Sequence, residues 1–187
     1  MKRKISLLLA ILMILLAGCG SGGDSKHTIS KHTSSKHAIS LNDLKQALKK
    51  ADYNNFSEYP LDPEEDFGLT NVSSATELSC YKNEENIGVE KFVGVIFFQC
   101  NSEKDALNAY NEIYSIVTSE GIYLTDVKTG NGQKSSYEEV FDSDNNGSVA
   151  YLIQVEDTVI FASESRDIDG SGSYDYELGK VLESVGY

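Results

Sequence analysis

The sequence predicts an α+β domain, a mainly antiparallel sheet of about five or six strands packed with helices, and three observations predict it. Phe92-Val93-Gly94-Val95-Ile96-Phe97-Phe98 is apolar on both alternating faces, as in a central strand covered on two sides. Ala106, Ala109, Tyr110, Ile113, Ile116 and Val117 recur at helical spacing immediately after it. Short apolar segments elsewhere are separated by turn-forming pairs, the pattern of strands joined in hairpins. Helices at either end and in the middle then cover an antiparallel sheet.

Taken in order, Ser40-Leu41-Asn42-Asp43 opens a helix that runs to about Ala51, with Leu41, Leu44, Ala47 and Leu48 on one face. Tyr53 to Asn71 holds both prolines, Pro60 and Pro63, and the acidic run Glu64-Glu65-Asp66, and reads as an irregular connection. Strands follow at Val72 to Lys82 and Val89 to Cys100, joined by a turn at Asn83 to Asn86. Asn101 or Ser102 caps the central helix, Glu103 and Asp105 suit the positive end of its dipole, and Gly121 ends it. Beyond it lie strands near Ile122 to Lys128 and Ser136 to Phe141, with a Gly-Asn-Gly turn between them. The turn Asp144-Asn145-Asn146-Gly147 leads to strands Ser148 to Val155 and Thr158 to Ser163, joined tightly at Glu156-Asp157. A last helix over Tyr174 to Val185 presents Leu178, Val181, Leu182 and Val185.

The first forty residues are of another kind. Lys2, Arg3 and Lys4 precede a thirteen-residue stretch, Ile5 to Ala17, that is apolar but for one Ser. A bilayer-spanning helix needs roughly 20 apolar residues, so this run is too short to span and reads as a secretory signal. Its ending, Leu16-Ala17-Gly18-Cys19, resembles the lipobox of bacterial lipoproteins. The resemblance implies that residues 1–18 are removed and that Cys19 becomes the first mature residue, carrying a covalent diacylglycerol as its lipid anchor. It further implies a place on the outer face of the cytoplasmic membrane, and the whole is similar to small surface lipoproteins of Gram-positive bacteria. Two acyl chains hold a soluble domain stably on a bilayer, where one is marginal. Residues 19–40 then form a tether, rich in Gly, Ser, Lys and His, with Ser-Lys-His repeated at five-residue intervals from Ser25, Ser30 and Ser35. Such a composition buries too little apolar surface to order itself. His27, His32 and His37 suggest a loose metal site, but a repeat without fixed geometry or a second shell makes a solvated spacer the simpler account.

Residues 41–187 make one domain, with ten Lys and Arg against 28 Asp and Glu, a net charge of −18. That balance argues against nucleic acid and anionic lipid as partners of the domain itself, since phosphate binding depends on cationic patches. Two acidic loops suggest calcium. Asp142, Asp144 and Asn146 match the opening of an EF-hand loop, but its twelfth position is Ile153. The second candidate set is Asp167, Asp169, Ser171 and Asp175, and its twelfth position is Leu178. Cys80 and Cys100 are a candidate disulfide outside the cytoplasm, contributing about 3 kcal/mol if closed. A simple hairpin over 72–100, however, sets Cys80 opposite about residue 91, so two buried free thiols are the preferred expectation.

The domain contains no His, which excludes Ser-His-Asp and Cys-His catalysis unless the tether folds back. Glu64-Glu65 and Glu138-Glu139 are candidate carboxylate pairs for glycan hydrolysis, though neighbours in sequence rarely converge on one substrate. Eleven tyrosines invite a sugar-stacking role, with Tyr174, Tyr176 and Tyr187 the best placed, and Trp is absent. No catalytic residue is assigned. The expectation is a membrane-anchored extracytoplasmic lipoprotein whose domain binds a protein or glycan at the cell surface or supports the envelope. A carboxylate-based hydrolase and a calcium-dependent adhesin are the alternatives.

Overall fold

The computed structural model describes residues 39–84, 89–119, 125–129, 132–140, 147–168 and 176–187. Within them the α+β expectation holds, with seven antiparallel strands in one sheet. The chain runs α1 (Leu41–Lys50), β1 (Asn54–Leu61), a single wide helical turn (Pro63–Phe67), β2 (Val72–Glu84) and β3 (Val89–Cys100). It continues through α2 (Glu103–Ser119), β4 (Thr125–Thr129), β5 (Gly132–Val140), β6 (Gly147–Val155), β7 (Thr158–Ile168) and α3 (Leu178–Ser184). Spatial order is β1-β2-β3-β7-β6-β5-β4, so two meanders, β1 to β3 and β4 to β7, meet where β3 pairs with β7. Helix α2 is the one long connection, carrying the chain from the middle of the sheet to its far edge.

Alternation along the strands divides the core in two. Ile96, Phe98 and Cys100 of β3, with Ala150, Leu152, Val159 and Phe161, pack beneath Ala106, Ala109, Tyr110, Ile113 and Val117 of α2. Val93, Val95 and Phe97 point the other way and join Leu78, Cys80, Ile153, Ile160 and Ala162 under α1 and α3. The result is three layers, with β3 covered on both sides. Ser40 caps α1 through a reciprocal capping box with Asp43, the side chain of each residue bonded to the backbone N–H of the other. Ser102 accepts from the backbone of Asp105 at the start of α2.

Two departures from the sequence reading have clear causes. The stretch read as irregular contains β1, an edge strand whose residues are almost all exposed and whose pairing is interrupted between Asn54 and Ser57. Without a buried face it has no alternating apolar pattern, and Pro60 is tolerated because an edge strand has an unpaired side. The last helix starts at Leu178 rather than Tyr174, because the residue before it, Glu177, is drawn into contacts with the sheet. Among the described residues no helix is long and apolar enough to cross a membrane.

Candidate functional site

The β2–β3 hairpin sets Lys82 directly opposite Lys91. Both lie in the inward phase of their strands, in line with Leu78 and Cys80 and with Val93 and Val95. On the other flank of β3, Arg166 of β7 occupies the register position opposite Lys91. Like charges directly opposite in a sheet repel, so the Lys82–Lys91 pair needs an anion. Glu177 supplies it from the segment leading into α3. The Lys82 ammonium donates to its two carboxylate oxygens at 2.8 and 3.2 Å, and the Lys91 ammonium donates at 3.1 Å. Lys91 is only 2% exposed, whereas Glu177 keeps about a quarter of its side chain open to solvent, so the pair is sealed on the sheet side alone.

One row further in, Cys80, Val93 and Glu164 are in register across β2, β3 and β7. Glu164 is fully buried. Its Oε2 accepts the backbone N–H groups of Glu177 at 2.9 Å and Leu178 at 2.7 Å, and its Oε1 accepts the Tyr53 hydroxyl at 3.2 Å. It thus satisfies N–H groups that the start of α3 leaves without helical partners. Gly179 lies so close to Tyr151 of β6 that a Cβ there would stand 2.6 Å from the tyrosine hydroxyl oxygen. Three charged side chains of the sheet, Lys82, Lys91 and Glu164, and one close approach therefore seat α3.

These surroundings fix the protonation states. Burial pushes the Glu177 carboxyl up, but the hydrogen bonds and charges of Lys82 and Lys91 together outweigh it and hold the group below its ordinary 4.5. Burial, then the negative charges of Glu164 and Glu177, push the Tyr53 phenol far above its usual range. Burial and Glu164 likewise push the Cys80 thiol up to about 12. Tyr53 is thus a neutral donor and Cys80 an unreactive thiol at neutral pH. The cluster pairs acids with bases and holds its hydroxyl and thiol protonated, so it brings no activated nucleophile beside a base. Its chemistry is that of a strut.

Glu177 also lines a groove of about 600 Å³ between α1 and α3. Asp43, Gln46 and Lys50 stand on the α1 side, Lys180 and Ser184 on the α3 side, and Ala47 and Val181 contribute apolar surface. That volume lies within the range of small-ligand sites, with alternating charge along both walls.

The sequence-predicted sites distribute differently. Cys80 pairs with Val93, two residues from the hairpin expectation, and Cys100 pairs with Val72 at the other end of β3. The thiols belong to opposite core layers, and both are buried and free. The candidate disulfide is therefore corrected: seven residues of strand and the thickness of the sheet separate the two side chains. Burial, with lesser contributions from Asp105 and Asp157, pushes the Cys100 thiol up to about 11. Asp167 is in β7 opposite Glu90, whereas Asp169, Ser171 and Asp175 lie outside the described residues, as do 142–146 of the first acidic loop. Among the described residues no three His, Cys, Asp or Glu side chains gather as a metal-binding group. Glu64 and Glu65 are exposed in the wide turn, where their N–H groups donate to Asp62. Glu138 and Glu139 are successive positions of β5, opposite Val149 and Ser148, and successive positions belong to opposite faces. Tyr176 is half-buried, the hydroxyls of Tyr187 and Thr158 lie 3.2 Å apart, and Tyr174 is outside the described residues. Cys19, the signal, the tether with its three histidines and Gly121 are also outside them.

Neither protein-family models nor curated proteins give a match to this chain. Its function is read from its own residues. The cluster of Tyr53, Lys82, Lys91, Glu164 and Glu177 escaped the sequence reading because its members come from five separate segments. One signal was available: Lys91 continues the inward phase of Val93, Val95 and Phe97, and Glu164 that of Ile160 and Ala162, where an unpaired charge is not tolerated.

Proposed function

We propose that this chain is a lipid-anchored extracytoplasmic protein whose domain is a non-catalytic binding module with the α1–α3 groove as its ligand site. The observation that carries the reading is Leu16-Ala17-Gly18-Cys19, small residues before a Cys at the end of a basic, then apolar, leader. The diacylglycerol on Cys19 holds the protein on the outer face of the cytoplasmic membrane, and residues 20–40 form the spacer to the domain. The domain supports a binding role in two respects. The cluster of acids and bases beneath α3 is compensated internally and fastens that helix, while the groove above it stays open and mixed in charge. A protein segment or glycan of the cell surface is the ligand class. The test is intact-mass analysis and detergent partitioning of the protein expressed in a lipoprotein-processing bacterium. The expected species begins at Cys19, carries the lipid mass and enters the detergent phase, and Cys19→Ala moves it to the aqueous phase. A mature chain that starts elsewhere, or that stays in buffer, overturns the reading.

A further inference from the structure

The α1–α3 groove has two ends of different character. The Tyr53 hydroxyl, just past the end of α1, donates to the same Glu164 carboxylate that accepts the N–H groups where α3 begins. Burial, then the negative charges of Asp157 and Asp43, push the Tyr187 phenol above its usual range, so the first turn of α1 stands near the chain just past α3. The two helices therefore run antiparallel. Asp43, Gln46, Ala47 and Lys50 recur at helical spacing along the α1 wall and share one stripe. Of the four charged residues on the walls, Glu177 is held by Lys82 and Lys91, and Lys180 has contacts of its own. Asp43 and Lys50 are exposed, and among the described residues neither takes part in an ion pair. Their positions along α1 are about 10 Å apart, too far for the two to pair with each other.

We propose that the groove binds a short peptide with free termini, its ammonium at Asp43 and its carboxylate at Lys50, an inference that rests on the reading of the groove as the ligand site. An extended chain advances about 3.4 Å per residue, so a peptide of about three residues matches the separation of the two charges. A single amino acid carries both charges on one carbon and reaches only one end. Both bonds that Ser40 donates to the Asp43 carboxylate fall on Oδ2, which leaves Oδ1 for the ligand's ammonium. The same bonds hold that carboxyl below its ordinary 3.8, so it is ionised at neutral pH. Between the two charges Gln46 offers an amide that donates to and accepts from peptide groups. Ala47, Val181 and Val185 supply apolar surface for small side chains. None of the described lining residues is aromatic, the surface on which a sugar ring stacks. Charge sets the direction of the peptide, since the reverse would place like charges together at both ends.

The experiment uses the full lipidated protein in detergent micelles and follows binding by ligand-detected NMR. The probes are trialanine, its N-acetyl, C-amide and doubly capped forms, and chitotriose. Capping either end of trialanine is expected to weaken binding about fivefold, the upper range for an exposed ion pair. In Asp43→Asn, acetylation is expected to cost nothing further while amidation still weakens binding, and in Lys50→Gln the dependence is expected to reverse. Damage to the groove's shape alone would weaken every form alike and keep both penalties. Gln46→Trp, at an exposed position on the wall, marks binding in the groove by blocking it. Equal affinity for free and doubly capped trialanine, blocked by Gln46→Trp, overturns the assignment of the termini and leaves the groove as the ligand site. Chitotriose bound and blocked in place of the peptides overturns the peptide and also leaves the groove. Binding of no probe, or binding that Gln46→Trp does not affect, overturns both.

Discussion

The two faces of the sheet are covered by different physical means. Helix α2 is 17 residues long and is held by an apolar stripe, Ala106, Ala109, Tyr110, Ile113 and Val117, against Ile96, Phe98, Leu152 and Phe161. Helix α3 has seven residues and buries only Leu178, Val181 and Leu182. A helix so short does not sustain itself in water, since nucleation is costly and each added residue returns little. What α3 lacks in length is made up by Glu164 beneath its first N–H groups and by Glu177 between two lysines. The comparison teaches that buried charge here replaces helix length as the means of attachment. It also makes the α3 side brittle, because removing one member of a buried ionic cluster leaves the others uncompensated.

The sharpest way to break the comparison is to remove Glu164. Glu164→Ala is expected to cost about 4 kcal/mol, because Tyr53 and the start of α3 lose their buried acceptor. Ile113→Ala under α2 is expected to cost about 3 kcal/mol, the scale of a core cavity. Urea denaturation checks both, and hydrogen exchange separates them: Glu164→Ala releases α3 while α2 stays protected. Equal loss of protection in the two helices would remove the distinction between the faces. Gly179→Ala is expected to cost about 1 kcal/mol, since its Cβ meets the Tyr151 hydroxyl and either that ring or α3 must shift. A neutral outcome in the same denaturation assay would show that α3 has slack on the sheet.

The mildest probe is acid. The Glu177 carboxyl titrates below its ordinary 4.5 in the folded protein, so between those two values the unfolded chain binds more protons. Its contribution to stability is therefore complete above about pH 4.5 and declines as the pH falls through the folded value. Exchange protection of α3 is expected to fall before that of α2 on titration from about pH 6 to about pH 3, and Glu177→Gln is expected to flatten the difference. An unchanged α3 profile in Glu177→Gln would assign the acid sensitivity to other carboxylates.

The sequence made legible whatever depends on neighbours in the chain. Val89 to Cys100 is a strand over that very span, because its two apolar faces are each covered by a helix layer. The β6–β7 turn falls at Glu156 and Asp157, with Glu156 at φ 51° and Val155 paired with Thr158. The free state of the cysteines was also foreshadowed, since hairpin register alone put Cys80 far from Cys100. What stayed hidden depends on partners distant in sequence. Edge strand β1 is defined by pairing to β2 rather than by a buried face, and five segments must converge before Glu164 and Glu177 have a purpose. The inward phase of Lys91 and Glu164 marked where to look, but not which residue answered each charge.

The two thiols, one in each core layer, have a practical consequence. They are native, sealed and chemically identical reporters placed on opposite sides of a single sheet. Under gradual unfolding, the order in which Cys80 and Cys100 become modifiable records which covering departs first, with no engineered label. The molecule carries its own two-channel clock for the loss of its layers.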